Sequence, residues 1–159
     1  MSVISAFLLF FADAAIGQDA PPTVALTGLD GQQASITVAE LDALPRVTLT
    51  VQQHHAAHVF EGALLGDVLK KVGAPSGAAI QGAELADVVV VQARDGYTVA
   101  LDLAGTDAVM RPERVILADR EDGAALPPEI GPFELVVEGD LRPLRANEMV
   151  TAIVLKRLR

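Results

Sequence analysis

The apolar and polar residues along this chain alternate in short stretches, and turn-forming residues separate them. Thr23-Val24-Ala25-Leu26-Thr27 and Ala34-Ser35-Ile36-Thr37 flank Gly28-Leu29-Asp30-Gly31. An Asp-Gly pair between β-prone runs predicts a hairpin. Thr37-Val38-Ala39-Glu40 is a capping box, in which the Thr and Glu side chains satisfy early backbone donors of a helix. It predicts a short helix through Leu44, stopped by Pro45. Arg46 to Gln52 alternates and is rich in β-branched residues, and His58-Val59-Phe60 reads as a further short strand. Leu64, Leu65, Val68, Leu69 and Val72 recur at helical spacing, predicting a helix over 63–72 with Gly73 as a left-handed cap. Asp87 to Ala93 is a near-continuous Val run, and Asp95-Gly96 turns it into Tyr97 to Leu101. Leu103 to Met110 suggests a loose helix. Arg114 to Ala118, Phe133 to Glu138 and Met149 to Leu155 read as strands, the last of them closing the sheet. Many short strands with two short helices define an α+β fold with a mixed or mostly antiparallel sheet.

The N-terminus departs from this pattern. Met1 to Phe11 is an apolar run shorter than the roughly 20 residues that cross a bilayer as a helix. Small residues at Ala15 and Gly17 follow it in the manner of a signal-peptidase site. Residues 1–17 are therefore read as a signal peptide, with export to a periplasm or secretion, and 18–159 as one domain without a transmembrane span.

Composition narrows the chemistry. The chain of 159 residues has 12 Lys and Arg against 21 Asp and Glu, a net charge of −9, and no Cys. Without a thiolate, disulfide frameworks, Cys–zinc sites, iron–sulfur clusters and Cys nucleophiles are excluded. The acidity disfavours nucleic acid as a partner, because duplex binding relies on Lys and Arg releasing counterions. No G-x-S-x-G, P-loop, G-x-G-x-x-G or H-E-x-x-H occurs, which argues against serine hydrolases, nucleotide phosphate sites and zincins. The charge is uneven. Residues 1–141 hold 7 basic and 20 acidic side chains, and residues 142–159 hold 5 and 1.

Three groups stand out as candidate contacts for a ligand. His54, His55 and His58 lie between two predicted strands, where imidazole can contact a polar heterocycle or a metal, or simply face solvent in a hairpin loop. Asp95 and Tyr97 combine a carboxylate, able to accept paired N–H groups, with a ring that offers a stacking surface. Asp95-Gly96 is equally good hairpin chemistry. Arg142 and Arg145 occupy an irregular stretch between strands, where a guanidinium can bond or stack on a ring, or pair with the acidic body. Lys156, Arg157 and Arg159 read as a solvated tail.

The order of several short motifs adds a resemblance. Phe60-Glu61-Gly62-Ala63-Leu64-Leu65-Gly66-Asp67-Val68-Leu69, Asp95-Gly96-Tyr97, Val115 to Leu126 and Gly131-Pro132-Phe133-Glu134-Leu135-Val136-Val137 together resemble the sulfite-oxidase-type molybdopterin-binding family, over Thr23 to Leu158. The resemblance implies that family's fold. Its large members carry a molybdenum–pterin cofactor and oxidise sulfite or reduce oxidised methionine. Small exported members form a separate branch, some of which bind reduced pterins without metal and report them to a membrane signalling protein. In those small members an Arg-Pro-x-Arg run and a histidine before the aromatic-x-Gly element are typical, which selects Arg145 first, then Arg142, His54 and His55. Two departures bear on the choice. Where the enzymes place a molybdenum-ligating Cys, this chain has Gln52-Gln53-His54-His55, and the family's Arg after Gly-Pro is replaced at Phe133-Glu134. The expectation is a pterin-binding protein with no catalytic residues, no metal ligands and no molybdenum. The alternatives are a molybdopterin-dependent oxidoreductase and a ligand-free interaction module.

Overall fold

A computed structural model describes residues 20–53 and 55–158. The proposed signal peptide and His54 lie outside the described residues. Among the described residues, ten strands form two sheets: β1 (Thr23–Thr27), β2 (Gln33–Thr37), β3 (Arg46–Gln53), β4 (Ala56–Leu64), β5 (Asp87–Ala93), β6 (Thr98–Asp102), β7 (Val115–Glu121), β8 (Ala124–Ala125), β9 (Glu134–Val137) and β10 (Val150–Arg157). The first sheet has the order β2-β1-β10-β5-β6, and the second runs β3-β4-β7 with both β8 and β9 paired to β7. β1 and β10 pair in parallel, and the other pairs named here are antiparallel. The architecture is thus α+β with a mixed sheet.

Several sequence expectations hold in detail. The capping box opens α1 (Val38–Asp42): Thr37 Oγ1 accepts from Glu40 N at 3.1 Å while Glu40 Oε2 accepts from Thr37 N at 2.8 Å. Asp30-Gly31 turns β1 into β2, and Asp95-Gly96 turns β5 into β6. The helix over 63–72 is shorter than its periodicity predicts. Ala63 and Leu64 finish β4, α2 covers only Leu65–Leu69, and Lys70–Val72 tightens to a 3₁₀ turn before Gly73 at φ 70°. Pairing of Ala63 and Leu64 with Leu117 and Ile116 holds them in the ladder and delays the helix. The loose helix at 103–110 reduces to one 3₁₀ turn at Ala104–Thr106.

The C-terminal strand requires a larger correction. It does not close an edge; β10 lies inside the first sheet between β1 and β5. Arg157 belongs to this strand and is no solvated tail. It donates to both oxygens of buried Asp87, at 2.6 and 2.9 Å, and to Glu84 at 3.3 Å.

The larger core lies between the sheets, where Val24, Leu26, Val89, Val91 and Ile153 meet Leu117, Phe133, Leu135 and Val137. The other face of the second sheet carries a smaller cluster of Leu49, Phe60, Ile116, Ala118, Leu126 and Val136. That sheet curls, because its outer strands β3 and β9 come together where Gln53 Nε2 donates to Glu134 Oε1 at 3.3 Å. Gly62 permits tight β4–β7 packing: a Cβ there would lie 2.0 Å from the Leu117 carbonyl oxygen, beside a register shift between Glu61 and Gly62. The Gly of the Phe60-x-Gly62 motif is therefore required by contact rather than by φ.

Candidate functional site

A cleft of about 280 Å³ opens where the two sheets are joined. The chain between 146 and 150 makes the joint. Asn147 exchanges backbone hydrogen bonds with Leu135 of β9 at 2.9 and 3.0 Å, Met149 N donates to the Ile130 carbonyl at 2.7 Å, and Arg94 N donates to the Met149 carbonyl at 3.0 Å. Gln53 at the end of β3, Asp95 and Tyr97 at the β5–β6 turn, Glu134 at the start of β9, and residues 143, 144 and 146–149 line the cleft.

Three side chains in this lining matter chemically. Glu134 is 1% exposed and accepts from Gln53 Nε2. Burial pushes its carboxyl up to about 7; the Gln53 bond opposes the shift, the nearby Glu148 and Glu121 add to it, and His58 opposes it. Asn147, also 1% exposed, donates from Nδ2 to the Val91 carbonyl at 3.2 Å, and its Oδ1 is buried without a partner. Tyr97 is 47% exposed, and its hydroxyl donates to the Leu144 carbonyl at 2.8 Å, tying the β5–β6 turn to the 143–145 segment.

The predicted site residues fall in different places. Asp95 and Tyr97 both line the cleft. Asp95 Oδ1 accepts from Tyr97 N at 2.9 Å, so one carboxylate oxygen shapes the turn. Arg145 points elsewhere: its guanidinium makes a two-pronged pair with Asp140, Nε to Oδ2 at 2.9 Å and Nη2 to Oδ1. That pairing holds the guanidinium pKa up and leaves Arg145 outside the lining. Arg142 is exposed, immediately before the 3₁₀ turn Pro143–Arg145, and also outside the lining. His55 is exposed at the β3–β4 turn with φ 69°. Gln53 pairs with Ala56, and His58 sits within β4 rather than in a loop.

His58 belongs to another group. Its Nδ1 lies 2.7 Å from Glu121 Oε1 and 3.2 Å from Asp122 Oδ2, while Asp122 Oδ1 accepts from Val59 N at 2.9 Å. The Val59 bond, followed by His58, lowers the Asp122 pKa. Among the described residues this trio offers ligand atoms within 4.8 Å of one another, a spacing open to a metal ion. In the structure both carboxylates face His58 Nδ1.

Glu134 and Asn147 are the site residues that sequence reasoning passed over. The signal for Glu134 was present: a carboxylate inside Phe133-Glu134-Leu135-Val136-Val137, an otherwise apolar strand buried along its whole length. A charge that pattern places inside is a functional candidate. Asn147 had no comparable signal, since its burial depends on its bridge to β9 and its bond to β5.

These two sheets, their joint and the cleft define an α+β fold of the sulfite-oxidase type. The solved structure of the sulfane dehydrogenase SoxCD from Paracoccus pantotrophus is similar, with a TM-score of 0.63 and 19% identity over 85% of this chain. The chain spans 38% of the length of that protein chain, and the likeness is one of fold. No family model matches the chain, and a search of curated proteins finds no match.

Proposed function

We propose that this chain is an exported protein that binds a pterin-type small molecule in the cleft between Tyr97, Glu134 and Asn147 and passes the bound state to a partner protein. The observation that carries the binding reading is a cleft of ligand size whose lining includes a buried carboxyl, Glu134, with Gln53 Nε2 as its side-chain donor. Buried acceptors short of donors are costly, and a ring bearing N–H groups supplies the donors. Tyr97 offers its ring to a flat heterocycle from the open side. The fold supports a pterin over other flat rings, and the export and signalling parts of the reading rest on the N-terminal sequence and the family resemblance.

The residues do not fit thiolate-ligated molybdenum. The chain has no Cys, β3 ends in Gln53, and the cleft is lined by carboxylates, amides and Met149. High-valent oxo-molybdenum in this family takes a thiolate, and neither imidazole nor amide is an evident replacement. No redox step is assigned to this chain.

The test is the ultraviolet and fluorescence spectrum of material released when protein purified from its natural compartment is denatured, combined with thermal shifts on adding reduced pterins. A released pterin, or a concentration-dependent rise in Tm, supports the reading. No released heterocycle and no shift with any pterin would leave an interaction module as the better reading.

A further inference from the structure

Arg94 and Met149 face each other across the joint between the two sheets. Arg94 follows β5, and its backbone N–H donates to the Met149 carbonyl at 3.0 Å, while Met149 N donates to the Ile130 carbonyl at 2.7 Å. The same two residues meet again through their side chains, where Arg94 Nη2 lies 2.9 Å from Met149 Sδ and 3.4 Å from the Pro128 carbonyl oxygen. Among the described residues no carboxylate lies within salt-bridge distance of this guanidinium. The nearest acceptor of a full positive charge is therefore a thioether, one of the weakest acceptors a protein holds. Arg94 is exposed and Met149 half-buried, so the sulfur sits at the surface end of the joint beside an unmatched donor.

We propose that Met149 is an oxidation site of this protein: a hydroperoxide converts its thioether to the sulfoxide, and Arg94 binds the oxygen that is added. With hydrogen peroxide, the sulfur lone pair attacks one peroxide oxygen, and an S–O bond forms as the O–O bond breaks. The proton of the transferred oxygen passes to the departing one, which leaves as water. Sulfur loses two electrons and the peroxide gains them. A sulfoxide oxygen is a polar acceptor where the thioether sulfur was not, so the Arg94 contact becomes a charge-assisted hydrogen bond. The exposed guanidinium has room to move back and admit that oxygen.

Oxidation of a packed methionine ordinarily destabilises, because it turns an apolar side chain into a polar one without a partner. Here the partner is already in place. The new bond runs parallel to the backbone bonds from Arg94 to Met149 and from Met149 to Ile130, so it reinforces the joint rather than loosening it. Met149 also lines the cleft, so the modified residue and the proposed ligand share a wall, but the inference does not depend on what the cleft binds. Met110, 51% exposed on the connection between β6 and β7, serves as the internal reference for reactivity.

The experiment treats the full chain with hydrogen peroxide, follows Met110 and Met149 by peptide mass mapping, and measures Tm before and after oxidation. In the natural sequence Met149 should gain one oxygen at a rate within roughly tenfold of Met110. The thermal comparison is made with Met110→Leu in both backgrounds, with and without Arg94→Leu. Oxidation should leave Tm level or raise it when Arg94 is present and lower it in Arg94→Leu, the two responses differing by about 5 °C or more. Met149→Gln, whose amide oxygen stands in for the sulfoxide, should melt no lower than Met149→Leu, a comparison that holds even where Arg94→Leu does not fold. A Met149 that stays unoxidised until the protein unfolds overturns the site. Equal Tm responses with and without Arg94 remove it from the role, and a Met149→Gln variant that melts well below Met149→Leu overturns the placement of the acceptor.

Discussion

Glu134 should set much of the pH dependence of stability through neutrality. Its carboxyl shifts from 4.5 to about 7 in the folded protein. The cause is desolvation first, with Glu148 and Glu121 adding to it. The folded state therefore holds one more proton than the unfolded chain between these two values. By linkage, stability falls as pH rises through that window and levels off above it. At 1.36 kcal/mol per unit, a shift from 4.5 to about 7 amounts to about 3 kcal/mol. Glu134→Gln keeps an acceptor for Gln53 Nε2 and cannot ionise. The variant should match the natural protein near pH 4.5 and exceed it by up to about 3 kcal/mol at pH 8, roughly 10 °C in Tm. Urea unfolding at half-unit pH steps measures the difference directly, and groups common to both proteins cancel in it. A difference that stays flat across pH 4.5 to 8 would refute the reasoning. Ligand donors that favour the carboxylate should offset part of this penalty, so a ligand bound at Glu134 should stabilise more at pH 8 than at pH 6 and release a proton on binding near neutrality.

Other sites give independent checks. Arg145→Ala should cost about 1 kcal/mol or less in thermal unfolding, because its pair with Asp140 is 41% exposed on the arginine side, and should leave ligand affinity unchanged. A tenfold loss of affinity on calorimetry would return Arg145 to the site. Gly62→Ala should destabilise by roughly 2–4 kcal/mol in urea, since the new Cβ meets backbone at 2.0 Å; a loss under about 0.5 kcal/mol would mean the β4–β7 ladder shifts freely. Tyr97→Phe should cost about 1 kcal/mol for the lost bond to Leu144 and keep ligand affinity within a few-fold, whereas Tyr97→Ala should weaken binding by roughly 1–3 kcal/mol. Equal affinity for both variants would remove the ring from the site.

Local elements were legible in the residues themselves wherever their chemistry is local. A capping box needs only the backbone and side chains of Thr37 to Glu40, and an Asp-Gly hairpin needs only the turn and its flanks, so both appear where the sequence places them. The missing thiolate was equally visible, because absence of a residue type requires no fold. Less was decided for Asp95 and Tyr97, which reach the cleft although their spacing served a hairpin equally well.

The remainder depended on contacts that only the folded chain makes. Arg145 had the right charge in the right kind of loop, yet Asp140, five residues earlier, takes its guanidinium. Arg157 looked terminal and solvated until β10 entered the first sheet beside β5 and brought it to Asp87. Glu134 and Gln53 are 81 residues apart and meet only because the second sheet curls, and Asn147 becomes a buried acceptor only because it bridges β9 and β5. Sequence alone determined most strands, turns and caps, since each follows from neighbouring residues, and the absence of a thiolate, which follows from composition. Tertiary structure alone decided which polar groups lose water and which find partners, because desolvation and pairing are properties of the packed joint between the two sheets.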